Sequence, residues 1–273
     1  MHRFYLVDDK IMPVERVPVD PGDRGLLYGF SLFETMLLRE GRVVMLHRHL
    51  ERLRRSAREL GIQAVESEQL AHGCLESVRR AGVKVGVLRL TMTAGPGEGG
   101  PGTTLFTLRE GVPYRPEQYA EGFSLLVLEQ RRSEKSILVR HKTANCLENL
   151  LGRQEAIEQG YDEGLLLNSK GCVAEGTVSN VFLLEGDELL TPPVDAGLLP
   201  GIVRQLVLER APGLGFRCRE EHINVKDLYG ADECFLTNSL MGIMPVTSLN
   251  GTPVGSGKPG RVTISLMAVY PPV

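Results

Sequence analysis

The sequence predicts a mixed α/β (α+β) protein built as two domains. The chain has 273 residues, which at about 150 residues per domain is roughly two. Short apolar runs of strand length alternate with longer segments of helical period, several of them closed by glycine. Pro113-Tyr114-Arg115-Pro116 breaks the pattern near the middle. Residues 1–112 are therefore expected to form an N-terminal α/β domain, 113–122 a linker, and 123–273 a C-terminal domain.

In the first domain, Arg3–Val7, Phe33–Leu38, Gly41–Met45 and Val85–Thr93 read as strands. Leu46–Leu60 reads as a helix, because Leu46, Leu50, Leu53, Ala57 and Leu60 fall on one stripe and Gly61 follows as a stop. Gln69–Ala81 is a second helix, ended by Gly82. The run Gly95–Gly102 (GPGEGGPG) holds no regular structure and reads as a surface loop. It lacks the Gly-Lys-Ser/Thr ending of a Walker loop.

In the second domain, Phe123–Leu128 is a strand. Cys146–Gln159 is a helix, with Asn145 as N-cap and Glu148 completing a capping box. Strands follow at Glu163–Asn168, Val178–Leu184 and Glu188–Thr191. A helix spans Ile202–Ala211, with strands at Arg217–Glu220 and Asp232–Thr237. Asn238–Met244 reads as a loop, ended by Pro245 and Val246.

Composition narrows the function classes. Lys plus Arg total 31 against 34 Asp plus Glu, a net charge of −3. That balance excludes a dedicated polyanion binder, so no nucleic-acid partner is expected. No apolar run approaches the roughly 18 residues of a membrane helix. The acidic and basic residues of the first turns interrupt any signal-peptide core. The five cysteines are scattered, with no Cys-x-x-Cys pair, so neither a zinc site nor a disulfide framework is expected. A cytoplasmic enzyme with reduced thiols fits these counts. Only seven of the basic residues are lysines, so a catalytic amine has few candidates.

Three segments stand out on local chemistry. Lys142, in His141-Lys142-Thr143-Ala144-Asn145, lies at a strand-to-helix junction. It reads either as an exposed lysine ahead of a helix or as an amine whose pKa a cleft could lower for carbonyl chemistry. Gly197-Leu198-Leu199-Pro200-Gly201-Ile202-Val203-Arg204 opens a helix whose free amides would favour an anion. An ordinary helix start, with glycine for the turn, is the alternative. Glu175, in Glu175-Gly176-Thr177-Val178-Ser179-Asn180, places a carboxylate among apolar residues, where it would need a partner. A solvated turn glutamate is the alternative.

Taken together, four segments resemble the fold-type-IV pyridoxal-phosphate (PLP) enzymes. They are DRGLLYGFSLFETMLLREGRVVMLHRHLERLRRSARELG, HKTANCLENLLGRQEAIEQGYDEGLLLNSKGCVAEGTVSNVF, TPPVDAGLLPGIVR and DECFLTNSLMGIMPV. The family includes branched-chain aminotransferases, D-amino-acid aminotransferases and aminodeoxychorismate lyases. The resemblance implies a small N-terminal α/β domain, a larger barrel-like α/β PLP-binding domain, and a homodimer acting on a small molecule. It implies that Lys142 carries PLP and moves protons, and that Glu175 pairs with the pyridine nitrogen. It implies that Arg52, in His49-Leu50-Glu51-Arg52-Leu53, reaches the phosphate together with the amides of Ile202 and Val203 and with Ser239.

Departures from the family patterns point to a subgroup. Val203 stands where many aminotransferases carry a threonine, and Cys146 where branched-chain enzymes carry a tyrosine. Thr93-Ala94-Gly95 lacks the arginine of the D-amino-acid enzymes, and Ser239-Leu240-Met241 replaces the Thr-Ala turn of the branched-chain enzymes. The remaining pattern is most similar to aminodeoxychorismate lyase, which forms p-aminobenzoate and pyruvate in folate biosynthesis. Thr35 then matches a threonine near the reacting centre, and Arg89 is a candidate for carboxylate recognition. A branched-chain or D-amino-acid aminotransferase is the alternative.

Overall fold

The computed structural model describes residues 1–273 except 8–9, 14–18, 64, 98–101 and 271–273; at 5–7, 10–11 and 269 only the backbone is described. Residues 98–101 of the glycine-rich loop therefore lie outside the described residues. The chain divides into two compact units. The first holds Met1–Pro113 and His141–Cys146, and the second holds Tyr114–Arg140 and Leu147–Pro272. Pro113 ends the first stretch, but the lysine segment 141–146, expected in the C-terminal domain, packs with the first unit.

The first unit runs β1 (His2–Val7), β2 (Lys10–Pro13), α1 (Arg24–Tyr28), β3 (Ser31–Arg39), β4 (Arg42–Val43), α2 (Leu46–Leu60), α3 (Ser67–Ala81), β5 (Gly86–Thr93) and β6 (Thr104–Glu110). Its six strands form an antiparallel sheet in the order β2-β1-β6-β5-β3-β4. Even-numbered residues of β3 turn into the core, where Leu32, Met36 and Leu38 pack with Leu50 and Leu53 of α2, Leu70 of α3, Leu88 and Leu90. This side of β3 meets the helical stripe read from α2, and Ser31, Phe33 and Leu37 on its other side are buried as well. The strand expected at Gly41–Met45 shrinks to Arg42–Val43, because Met45 takes φ +54° and caps α2.

The second unit runs α4 (Pro116–Glu121), β7 (Phe123–Arg132), α5 (Leu147–Glu158), β8 (Glu163–Asn168), β9 (Val173–Gly176), β10 (Asn180–Glu185), β11 (Glu188–Thr191), α6 (Ile202–Arg210), β12 (Arg217–Glu220), α7 (Val225–Gly230), β13 (Glu233–Asn238), β14 (Gly242–Leu249), β15 (Thr252–Pro253) and α8 (Arg261–Leu266). Its sheet has the order β12-β11-β10-β13-β14-β7-β8-β9, with β15 on β14. Strands β9 and β10 stand five places apart in that order, yet residues 177–179 alone join them. The sheet must therefore curl back on itself, as the barrel-like expectation requires. All of β8 is buried, matching its unbroken apolar run Leu165–Leu167.

Three local expectations change. The strand expected at Val178–Leu184 begins later, as β10 at Asn180, and a strand not expected, β9 (Val173–Gly176), precedes it across a tight turn in which the Gly176 amide donates to Ser179 O at 2.7 Å. Asn145 does not cap α5; its Nδ2 donates to Gly29 O at 3.1 Å. The loop expected at Asn238–Met244 gives way to β14 at Gly242, and Pro245 lies inside that strand. The ladder of β14 with β7 begins only at Val246, so on that side Pro245 is an edge residue, where a missing N–H is tolerated.

Candidate active site

The lysine segment is stitched to the start of β3 in the first unit. Thr143 bridges Leu32 in antiparallel fashion, Phe33 N donates to Lys142 O at 2.9 Å, and Ala144 N donates to Ser31 O at 3.1 Å. Lys142 and Phe33 are thereby opposed, and opposed residues project to the same face. Lys142 Nζ sits 4.7 Å from the Phe33 ring centroid. Arg89, on β5, sets its guanidinium 3.7 Å from the same centroid and pairs in register with Thr35. An amine and a guanidinium are thus gathered around one aromatic ring, with cation–π attraction to hold them, and the half-buried Thr35 stands across the ladder from Arg89. Burial lowers the pKa of Arg89, against the opposing effect of Cys146.

On the opposite face of β3 lies a polar cluster in which Arg52, expected at a phosphate, meets two residues that the sequence did not single out. Glu34 interrupts the apolar alternation Leu32, Met36, Leu38 and is fully buried. Arg52 grips it with Nε to Oε1 at 2.9 Å and Nη2 to Oε2 at 2.7 Å. His49 Nδ1 lies 2.7 Å from Oε2. Burial alone would push the Glu34 pKa up, but the charges and hydrogen bonds of Arg52 and His49 outweigh it and hold the group down at about 2. The His49 pKa is lowered, by burial first; Glu34 opposes this, while Arg52 and Lys142 add to it. Ser56, one turn on, meets His141 Nδ1 at 3.0 Å. Helix α2 therefore carries a buried polar stripe, His49, Arg52 and Ser56, beside its apolar one. Among the arginines of that helix, Arg54, Arg55 and Arg58 are exposed and Arg52 is buried. The signal available in the sequence was a carboxylate in an apolar alternation, with His and Arg three apart on a helix.

In the second unit Glu175 is buried in β9. Its Oε1 accepts from Arg132 Nη1, and its Oε2 accepts from Leu199 N at 2.9 Å and Asn180 Nδ2 at 3.2 Å. Arg132, also buried, extends to Asn149 Oδ1 at 2.7 Å; sequence reading missed it. Asn180 further donates to Leu199 O at 2.9 Å, and its Oδ1 leaves no room for a Cβ at Gly201. Gly201 is the N-cap of α6, and no side chain caps that end. The amides of Ile202 and Val203 thus head a helix whose dipole favours an anion. Ser239 is half-buried, and its carbonyl accepts from Tyr270 Oη at 2.9 Å. The turn bearing it is shaped by Asn238 Oδ1, which accepts from Leu240 N at 2.9 Å and Met241 N at 2.8 Å.

An open cleft of about 760 Å³ on the outer faces of α2 and α3 is lined by Leu46, Leu50, Arg54, Arg55 and Arg58, and by none of the candidate residues. Among the described residues no cluster of His, Cys, Asp and Glu could hold a metal ion. No described helix is long and apolar enough to cross a membrane. All five cysteines are free.

A matching family model, amino-transferase class IV, covers residues 31–249. The chain is 30% identical to the aminodeoxychorismate lyase of Bacillus subtilis over 271 residues, covering 97% of this chain and 92% of that one. It is 32% identical to the D-alanine aminotransferase of Bacillus licheniformis over 267 residues, covering 94% and 92%. Among solved structures, the T.th. branched-chain amino acid aminotransferase with pyridoxamine 5'-phosphate superposes with a TM-score of 0.91 at 26% identity, covering 98% of this chain and 92% of that one. The chain belongs to the class IV aminotransferase family of PLP enzymes, in the fold that the resemblance implied. The donor set fits PLP: a pinned buried carboxylate suits a protonated ring nitrogen, and uncapped helix amides suit a phosphate.

Proposed function

We propose that this PLP enzyme is a 4-amino-4-deoxychorismate lyase that releases pyruvate and forms p-aminobenzoate. The observation that carries the reading is the grouping of Lys142 and Arg89 around Phe33, with Thr35 across the ladder from Arg89. Lys142 would hold the cofactor, with Glu175 at its ring nitrogen. Arg52, Ser239 and the amides of Ile202 and Val203 would hold its phosphate. PLP, when bound, supplies an electron-withdrawing ring to the substrate carbon that bears the amine.

Lys142 Nζ takes the proton from that carbon, a transfer worth about 10²–10⁴-fold for a positioned base. Glu175, fixed by Arg132, Asn180 and the Leu199 amide, keeps a proton on the ring nitrogen. Arg89 binds a substrate carboxylate through its planar fork. Thr35 Oγ1 gives a proton to the departing enolpyruvate oxygen, and aromatisation of the remaining ring drives the step.

A branched-chain or D-amino-acid aminotransferase is the second reading, favoured by relatives of those names at equal coverage. There Lys142 would return the proton to a cofactor carbon in place of expulsion of enolpyruvate. Incubation with enzymatically made aminodeoxychorismate decides between them, with p-aminobenzoate fluorescence and pyruvate both rising. No product, together with amino-group transfer from D- or branched-chain amino acids, would sink the lyase reading. A Lys142→Ala protein that kept the visible absorbance of bound PLP would sink the site assignment.

We place the enzyme in the cytoplasm, supported by its free thiols; burial pushes two of them, Cys74 and Cys234, up to about 12. We also infer a homodimer. Its support is apolar surface left uncovered on each unit: Leu26, Leu27 and Tyr28 on α1, and Leu147, Leu150 and Leu151 on α5. Sedimentation at twice the 30.0 kDa chain mass is the expected result.

A further inference from the structure

We propose that the Thr237 hydroxyl is a further ligand for the cofactor phosphate, acting beside the N-terminus of α6. The inference rests on the reading of Ile202 and Val203 as phosphate-binding amides. Thr237 lies in β13, directly opposite Asn180 of β10. Opposed residues of an antiparallel pair share a face, so Thr237 projects from the same face of the sheet as Asn180. That face is the one over which α6 begins, because Asn180 abuts Gly201 and binds Leu199 O at 2.9 Å.

Thr237 is 1% exposed, and its Oγ1 has no hydrogen-bond partner among the described residues. A hydroxyl buried and unsatisfied is costly, and native chains keep few of them. The start of α6 offers the complement. Gly201, Ile202 and Val203 bring backbone amides but no hydroxyl, and no side chain caps the helix. A phosphate monoester presents acceptor oxygens that would take both the amide protons and the Thr237 proton. The orphan hydroxyl and the uncapped helix end are separate observations, and one ligand satisfies both.

The test compares PLP with pyridoxal, which lacks the phosphate, in equilibrium titrations of the enzyme stripped of its cofactor. Thr237→Val keeps the shape of the side chain and removes the hydroxyl. It should weaken PLP binding by about tenfold or more, the cost of losing a hydrogen bond to a charged group, and leave pyridoxal within about twofold. Thr237→Ser should stay near wild type. Adding Val203→Thr to Thr237→Val should recover part of the loss by restoring a hydroxyl at the same helix end. Should Thr237→Val melt early, the serine variant and the PLP-to-pyridoxal ratio still decide.

Equal loss for PLP and pyridoxal, or PLP affinity within about twofold of wild type, overturns the inference and leaves the site reading standing. A wild-type protein that binds PLP no better than pyridoxal overturns the phosphate reading itself.

Discussion

Glu34 in the first unit and Glu163 in the second are both carboxylates without exposed surface, and their protonation equilibria move in opposite directions. Burial pushes both pKa values up. At Glu34 a buried arginine in fork-to-fork contact and a histidine at 2.7 Å reverse the shift, down to about 2. At Glu163 the partners are Arg153 at 3.2 Å, itself 30% exposed, the amides of Gly164 and Thr177, and the Thr177 hydroxyl. These lower the pKa less than burial raises it, and it ends above the ordinary value. Desolvation is common to the two sites, so the bidentate, water-excluded guanidinium and the histidine beside it make the difference. The consequences for function differ as well. Glu34 is a permanent anion that fixes the plane of Arg52. Glu163 ties down the turn Thr177–Ser179 that follows Glu175.

The largest expected effect comes from removing that guanidinium. Arg52→Met leaves Glu34 buried with His49 as its remaining named partner, and breaking a buried pair costs about 3–5 kcal/mol. Urea unfolding at pH 7 measures it. The sign of the pH dependence should also invert. In the wild type the Glu34 pKa is depressed, so its contribution is complete above the unfolded value of 4.5 and is lost as pH falls toward 2. In the variant burial raises that pKa above 4.5, so acidification from pH 7 to pH 5 should stabilise the variant relative to wild type. A variant whose stability curve runs parallel to that of wild type would break the comparison.

Glu34→Gln should cost less, about 2 kcal/mol, because the amide oxygen still accepts from Arg52. Its specific signature is the loss of the acid limb: the variant should lose less stability than wild type between pH 4.5 and 3. Because Arg52 is assigned to the cofactor phosphate, PLP should also leave this variant faster, measured as absorbance lost on dilution.

The contrast between the two carboxylates also shows what the chain makes legible. Helix α2 could be read to both ends because its apolar stripe and Gly61 are local signals, and the all-buried strand β8 because its leucines are contiguous. Glu34 could have been noticed as a charge in an apolar alternation, but its partners lie 15 and 18 residues away on another element. Only tertiary packing distinguishes Arg52 from Arg54, Arg55 and Arg58. Lys142 was found through its segment, yet its pairing with β3 places it in the first unit, a fact carried by backbone hydrogen bonds that any sequence could make. Arg132 escaped notice because it ends a strand next to Arg131, and nothing local tells which of the two turns inward to Glu175. The start of β14 at Gly242 is hidden inside the loop read at Asn238–Met244, because Pro245 is tolerated in a strand only where the ladder on one side is missing, and that is set by tertiary pairing.

The smallest effect is expected at Glu163. Glu163→Gln removes a charge that burial already disfavours, so part of the lost hydrogen bonding is offset by relief of desolvation. The amide keeps one acceptor for the Thr177 hydroxyl and amide, while its NH₂ faces Arg153, for a net cost of about 1 kcal/mol at pH 7. The Glu163 pKa is raised, so its ionisation opposes folding: stability is greatest below the unfolded value of 4.5 and falls as pH rises through the folded value. The glutamine variant lacks that falling limb, so its deficit against wild type should shrink as pH rises from 4.5 to 8. If the turn Thr177–Ser179 loosens, Glu175 follows, and kcat should fall while KM stays nearly constant, because substrate contacts are assigned to the other unit. A deficit that grows with pH would mean that Glu163 is stabilised as an anion in the way Glu34 is, and that Arg153 does for it what Arg52 does for Glu34.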